Sequence, residues 1–442
     1  MFDRQKKSIL SLIIFILGLS LGYFWSTNKN QPDPESAGEK KGIEVYFSQV
    51  RHGNVEAAVN NPQNIDKQLV KKIDQADQSI YAALHELDSD LIAKALIQAK
   101  ERGVLTQVVT ETDYMDEESI EWVQEAGILV KNDQGRGGLM HNKFIIFDEK
   151  YVWTGSFNTT YNGANKNDNN AVFIESKELA ANYLNEFNEM FHQSQFGVSS
   201  NKEIAYPLIS ISDGTELVSI FAPENGVDQY IIDEILKSTN QLCFLIFSFT
   251  HDDIGQAMLD QAKAGVNVRG VFEKRGANTQ YSEFPRLSGA GLDVRLDTNK
   301  YICHHKVIIV DDHTVLTGSF NFSQNATRTN DENLLIIRNN RQVAGQFLEE
   351  FQRIFQVATK ADQNGTQSGS NSSPTPPPSE SGKKINVNTA SSRELQELKG
   401  VGPKMAQKII DGRPYQSVED LRRVKGIGEK TLEKLRDNVT VD

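Results

Sequence analysis

Two stretches of the chain repeat one order of apolar and polar positions. Residues 78–87 (QSIYAALHEL) form an apolar, strand-like run, and LIAKALIQAKERGV after it has helical spacing up to a stop at Gly103. Residues 241–250 (QLCFLIFSFT) and IGQAMLDQAKAGV, stopped at Gly265, repeat that order. Short apolar strands follow at 105–110 and 266–272. Alternating strands and helices predict an α/β fold of two related halves with mainly parallel sheets, 43–200 and 201–357.

The pattern changes at both ends. Residues 8–25 are apolar and uncharged and follow Arg4, Lys6 and Lys7. As a helix they would span roughly 27 Å, which predicts a transmembrane signal anchor. Residues 1–7 then form a cytoplasmic stub, 26–42 a linker, and the body lies outside the cytoplasm, periplasmic or extracellular. A cleaved signal peptide, giving a secreted protein, is the alternative. Residues 358–383 are a Ser/Gly/Pro tract too polar to build a core and read as a flexible linker to a small domain, 384–442.

Charge sharpens this division. The 442 residues carry a net −12, yet 383–442 hold 13 Lys or Arg against 9 Asp or Glu, so the tail is +4 and the rest −16. A nucleic-acid partner must therefore meet local patches rather than the overall field. Cys243 and Cys303 have no metal-ligand spacing and sit in apolar runs, which predicts buried free thiols.

Each half closes on the same block. HNKFIIFD at 141–148 leads to GSFN at 155–158, and HHKVIIVD at 304–311 leads to GSFN at 318–321. In both, Ser follows His by 15 residues and Asn by 17, and the two His are 163 apart. A strand that turns from polar to apolar leaves His and Lys on one face at its rim. Lys143 and Lys306 supply charge for a phosphate, with Asn158, Asn321, Ser156 and Ser319 as neutral donors. Two imidazoles at one phosphorus allow one to attack while the other protonates the leaving group. No carboxylate triad accompanies them, so neither a metal nor another cofactor is expected. The copies differ 28 residues after the His, where the second has Glu332 and the first Asn169.

His-x-Lys-x4-Asp, present twice, resembles the signature of the phospholipase D superfamily over about residues 43–357. The resemblance implies two pseudo-symmetric halves, a phosphohistidine intermediate, and His141 and His304 as nucleophile and acid. It implies phosphate binding by Lys143, Lys306, Asn158 and Asn321, with Ser156 and Ser319 weaker and Asp148 and Asp311 as structural supports. In similar nucleases a Glu at the place of Glu332 bonds the catalytic His. Taken within its own half, Glu332 serves His304 and leaves Asn169, or Asp168, to His141. Both motifs lie in one chain, so no oligomer is required. His85 and Glu86, at the end of the first core strand, could line the pocket, with His85 read as a satisfied interior or rim residue; His305 and His313 read as incidental, and 135–138 (GRGG) as a mobile loop beside the site.

In the tail, Gly400-Val-Gly402 precedes Lys404 and Gly426-Ile-Gly428 precedes Lys430, each between amphipathic helical stretches. Gly-apolar-Gly turns the backbone into a helix N-terminus, whose free N–H groups can meet a phosphate. This resembles a tandem, all-α helix-hairpin-helix domain, notably that of membrane-anchored competence DNA receptors, and implies sequence-independent DNA binding. The leading expectation is an exported, metal-independent nuclease. A cardiolipin synthase-like lipid phosphodiesterase or transphosphatidylase and a catalytically weak DNA receptor are the alternatives.

Overall fold

β2 (Ser79–Leu84) and β3 (Leu105–Thr110) are joined by the helix Asp90–Glu101, whose apolar face is buried. This computed structural model describes residues 42–360 except 51, 52 and 280, and 384–441 except 391–394, 396–397, 399–400, 402, 425 and 437. The expected membrane anchor, 8–25, lies outside the described residues. Among the described residues no helix is long and apolar enough to cross a membrane. The body and the tail form two separate units.

The first half adds β1 (Ile43–Phe47), β4 (Leu129–Asn132), β5 (Lys143–Phe147), β6 (Tyr151–Gly155) and β7 (Asn170–Glu175), in sheet order β1-β7-β6-β5-β2-β3-β4. The second half has β8 (Ile209–Ser210), β9 (Glu216–Ala222), β10 (Gln241–Ile246), β11 (Asn267–Phe272), β12 (Asp293–Leu296), β13 (Lys306–Val310), β14 (Thr314–Gly318), β15 (Glu332–Arg338) and β16 (Thr359–Lys360). Its order β9-β15-β14-β13-β10-β11-β12 repeats that of the first, with β8 and β16 added at the edges.

The sheets are mixed rather than mainly parallel. Helical crossovers make only β2-β3-β4 and β10-β11-β12 parallel, while β5 and β13 run antiparallel to β2 and β10. No helix intervenes between β4 and β5, and a tight turn with φ of +53° at Asp148 and +51° at Glu149 joins β5 to β6. Such short connections dictate antiparallel pairing. Asp148 and Asp311 stand at the far ends of β5 and β13. Asp148 Oδ1 accepts from the N–H of Gln78 (2.7 Å) and Ser79 (3.0 Å), and Asp311 Oδ1 from Asn240 (2.8 Å) and Gln241 (3.0 Å). The motif aspartates therefore pin the starts of β2 and β10.

The 17-residue helices Lys177–Gln193 and Arg341–Val357 follow β7 and β15 and bury Tyr183, Phe187, Phe347 and Phe351 in one core shared by both sheets. Burial of each such side chain contributes roughly 1.5–3 kcal/mol, so the halves behave as one body. Polar bonds cross the same interface: Thr154 Oγ1 donates to Asn333 Oδ1 (2.6 Å), and Asn170 Nδ2 to Thr317 Oγ1 (2.7 Å). Cys243 and Cys303 are buried free thiols. In the tail, Val387, Leu395, Ala406, Ile409, Leu421, Leu432 and Leu435 form a core of their own. The helices Pro403–Asp411 and Glu429–Arg436 are joined there by one short parallel strand pair, Ile385–Asn386 with Val439–Thr440, so the tail is not purely helical.

Candidate active site

Just before β5 and β13 the chain leaves its own sheet and pairs with the other half. The N–H of His141 donates to Asp331 O (3.0 Å), and that of Asp331 to Leu139 O (2.8 Å). The N–H of His304 donates to Asp168 O (2.9 Å), and that of Asp168 to Ile302 O (2.8 Å). These two ladders bring both motifs to one place and also cross their partners. Glu332 follows Asp331 and therefore reaches His141, with Oε2 at 2.7 Å from Nδ1. Asn169 follows Asp168 and accepts from His304 Nδ1 at 2.9 Å, beside the Ser156 carbonyl at 3.1 Å. The within-half pairing of Glu332 with His304 is thus corrected: each His takes its partner from the opposite half.

The motif serines hold these partners. Ser319 Oγ donates to Glu332 Oε2 (2.6 Å), and Ser156 Oγ to Asn169 Oδ1 (2.9 Å). Asn169 Nδ2 donates to Gly163 O (2.9 Å), which fixes the amide with its oxygen toward His304. With each Nδ1 engaged, Nε2 is the nitrogen left for chemistry on both rings. Lys143 Nζ donates to His141 O (2.7 Å) and Lys306 Nζ to His304 O (2.9 Å), so each ammonium sits beside its own imidazole. Asn158 and Asn321 carry matching buried Oδ1 atoms that lack a partner among the described residues.

Burial dominates the electrostatics. It holds both imidazoles well below the ordinary histidine range, and Lys143 and Lys306 push them the same way. Burial also lowers Lys143 to about 7, against the pull of Glu332, and lowers Lys306 well below its usual value. Glu332 is pushed up to about 7 by burial, with Lys143 opposing. Both shifts disfavour a permanent ion pair between Glu332 and His141. A phosphodiester anion among these groups would offset the cost of their positive charge. Among the described residues no group of three or more His, Cys, Asp or Glu is placed to hold a metal.

His85 belongs to the surroundings of the site. The His85 ring lies 4.6 Å from that of His141, is buried, and has an Nδ1 without a partner among the described residues. At the equivalent place in the second half Phe247 lies 4.9 Å from His304. Its place at the end of the first core strand marked His85 as a residue that could line the pocket, and the same place after β10 is the signal that could have found Phe247. Residues 135–138 are a clamp rather than a loose loop. Arg136 pairs with Asp331 and donates to Thr329 O (2.8 Å), and a Cβ on Gly138 would lie 2.0 Å from that carbonyl oxygen. Asp168 does not touch His141; it pairs with Arg353 (2.6 Å) and accepts from Asn299 Nδ2 (2.6 Å). The His305 ring is buried between Asn170 (2.9 Å) and Glu350 (3.3 Å), whereas the His313 ring meets Thr314 Oγ1 (3.0 Å).

In the tail, Gly426 has φ of +103°, and a Cβ there would lie 2.7 Å from Met405 Cε, so that turn requires glycine. Gly428 lies in the same turn, directly before Glu429–Arg436. Gly400, Gly402 and the side chains of Lys404 and Lys430 lie outside the described residues.

Comparison with known proteins agrees with the fold of the body. The family described as "Cardiolipin synthase, PLD-like domain" matches twice, at 69–191 and 231–355, and the helix-hairpin-helix motif matches at 380–440. A phospholipase D of Rickettsia prowazekii (strain Madrid E) is 32% identical over 191 residues, covering 42% of this chain and 93% of that protein. A mitochondrial cardiolipin hydrolase of Chlamydomonas reinhardtii is 31% identical over 126 residues, 28% of this chain and 56% of that protein. The solved phosphatidylserine synthase of Haemophilus influenzae Rd KW20 shares the fold, with a TM-score of 0.55 at 16% identity over 72% of this chain and 87% of that one.

Proposed function

The chain belongs to the phospholipase D-like family and is a phosphodiesterase, and from that premise we propose that it is a metal-independent nuclease whose tail captures DNA. The observation that carries the catalytic reading is the crossed pair of imidazoles, each oriented through Nδ1 with a Lys beside it.

In the proposed reaction His141 Nε2 attacks phosphorus. The bond to the leaving oxygen breaks, and His304 gives its Nε2 proton to that oxygen. Water then attacks the phosphohistidine and passes a proton to His304, and the P–N bond breaks to free His141. Attack makes the His141 ring cationic, whereas proton donation makes His304 neutral. A carboxylate at Nδ1 stabilises the ring that gains charge, which favours His141, the partner of Glu332, as nucleophile. An anionic substrate favours the protonated form of His304 that the acid role requires. Lys143, Lys306, Asn158 and Asn321 bind the phosphoryl oxygens.

The helix-hairpin-helix match supports DNA as the partner of the tail. Its hairpins, with Gly400, Gly402, Lys404, Gly426, Gly428 and Lys430, would hold the phosphate backbone. The apolar run 8–25 would keep the enzyme at a membrane with its body outside the cytoplasm. A lipid phosphodiesterase is the second reading, favoured by relatives named for phospholipase D and cardiolipin hydrolase. Assaying the full chain in detergent on DNA, RNA and cardiolipin, with and without EDTA, separates the two. Chelator-resistant cleavage of DNA is expected. Lipid turnover alone would transfer the site to the second reading, and cleavage that needs Mg²⁺ would sink the mechanism.

A further inference from the structure

Catalytic chemistry is nearly symmetric about the two motifs, but their flanks are not. Beside His304 the chain presents Lys166, Lys274, Arg275 and Lys300, interleaved with Tyr161 and Tyr301. Lys166 Nζ lies 5.6 Å from the Tyr161 ring centroid and 5.5 Å from that of Tyr301, and Lys300 Nζ lies 5.6 Å from Tyr301. Lys274 Nζ donates to Asn299 O (2.7 Å) and Arg275 Nη2 to Lys300 O (3.2 Å), bonds that orient both cations, and Arg275 Nε also lies 3.8 Å from Glu273 Oε1. Lys274, Arg275, Lys300 and Tyr161 are exposed, and Lys166 and Tyr301 half-buried. The carboxylates beneath are occupied: Asp168 pairs with Arg353, and Glu273 accepts from the N–H of Cys303 (2.7 Å) and of Arg275 (3.2 Å).

This cluster is tied to the reaction centre by the backbone. Lys166 precedes by two and three residues Asp168 and Asn169, which bond the His304 backbone and ring, and Lys300 and Tyr301 precede His304 by four and three. The matching places beside His141, found by the 163-residue repeat and by the ends of β3 and β11, hold Thr329, Thr112, Asp113, Gly137, Gln324 and Gly138. None is basic. The nearby Arg136 is committed to Asp331.

We propose that the flank Lys166–Tyr301–Lys300–Arg275 is a binding track for single-stranded nucleic acid on the His304 side of the site, with Tyr161 and Tyr301 as stacking surfaces. A single strand offers phosphates to the cations and unpaired bases to the rings, a combination that neither a lipid headgroup nor a duplex backbone supplies. The overall charge of the body repels a polyanion, so a local basic strip is needed to admit one. The proposal rests on the nuclease reading and deepens it.

The test uses the full chain with a single strand of about 8 nucleotides, within the ~4–16-nucleotide reach of such sites. Its kcat/KM is divided by that for a small aryl phosphodiester, so a general loss of folded enzyme cancels. Lys166→Glu/Lys300→Glu should lower this ratio at least tenfold and flatten the log–log salt dependence by roughly 1.4, at ~0.7 per phosphate contact. Lys71→Glu/Lys263→Glu, the same charge change elsewhere on the body, should leave the ratio alone. Tyr161→Ala should lower it for the single strand more than for a duplex of the same sequence. An unchanged ratio in the flank variant, with the strand still cleaved, overturns the track, and a loss confined to duplex overturns the single-strand assignment. Wild-type enzyme that turns over lipid but no oligonucleotide removes the nuclease reading itself.

Discussion

A carboxylate and an amide at Nδ1 prepare an imidazole for different work. Glu332 can stabilise charge that appears on His141, while Asn169 only orients His304. His304→Ala should still form a phosphoenzyme from a substrate with a good leaving group, and His141→Ala should not; acid-labile label on His304 in the latter protein would reverse the roles. Glu332→Gln keeps an acceptor but loses the charge. With charge-assisted bonds contributing about 1.5–3 kcal/mol, phosphoenzyme formation should slow roughly 10–100-fold in rapid-quench experiments. The lysines add a pH signature. Lys143, lowered to about 7 by burial, is protonated below that pH in the fold but stays protonated up to its ordinary, higher value when unfolded. Its stability cost is thus full below about 7 and fades as pH rises toward the unfolded value. Lys143→Met should abolish turnover yet raise the melting temperature at pH 6, by an amount that shrinks toward pH 10. A gain that grows with pH would contradict this assignment of the charge.

At the scale of elements, the sequence pattern located both halves, the strands that carry the motifs and the aspartates that pin them. It did not reveal strand direction, because periodicity within β5 is the same whichever way the strand runs. Nor did it reveal the crossing of partners. A spacing of 28 residues from His304 to Glu332 is compatible with pairing inside one half or across two, and only the long-range ladder between His141 and Asp331 decides. The clamp at Arg136 was hidden for the same reason, since its partners Asp331 and Thr329 are almost two hundred residues away. The Gly-Ser-x-Asn turns were legible as a motif, and the structure supplies their cause. A Cβ on Gly155 would lie 2.3 Å from Asn170 O, and one on Gly318 2.2 Å from Asn333 O. Gly155→Ala or Gly318→Ala should therefore push apart the strands that seat Ser156 or Ser319. Urea unfolding should show a loss of about 1–3 kcal/mol, the usual cost of such overpacking, with turnover falling further than stability alone explains. Wild-type stability in either variant would mean that the strands yield freely.

Over the whole molecule, catalysis and the proposed capture of DNA rest on different physics and on separate units. The body joins two halves through a shared core and encloses a buried, anion-seeking site, yet its sequence is net acidic. The tail has its own core and a net charge of +4, and its sequence holds no paired His-Lys motif. The basic flank beside His304 can guide a strand locally, but it is a small part of the field that a long polyanion meets. Affinity for long DNA should therefore reside mainly in the tail, and turnover of a small diester entirely in the body. Deleting 384–442 should weaken binding of long DNA at least about 100-fold, the lower end of what linking two sites provides, and flatten its salt dependence in anisotropy titrations. The kcat for a small aryl phosphodiester should stay within about twofold, because no group that meets its phosphorus is lost. If small-diester turnover collapses with the deletion, the tail supports the catalytic fold itself, and capture and cleavage are not separable functions of this chain.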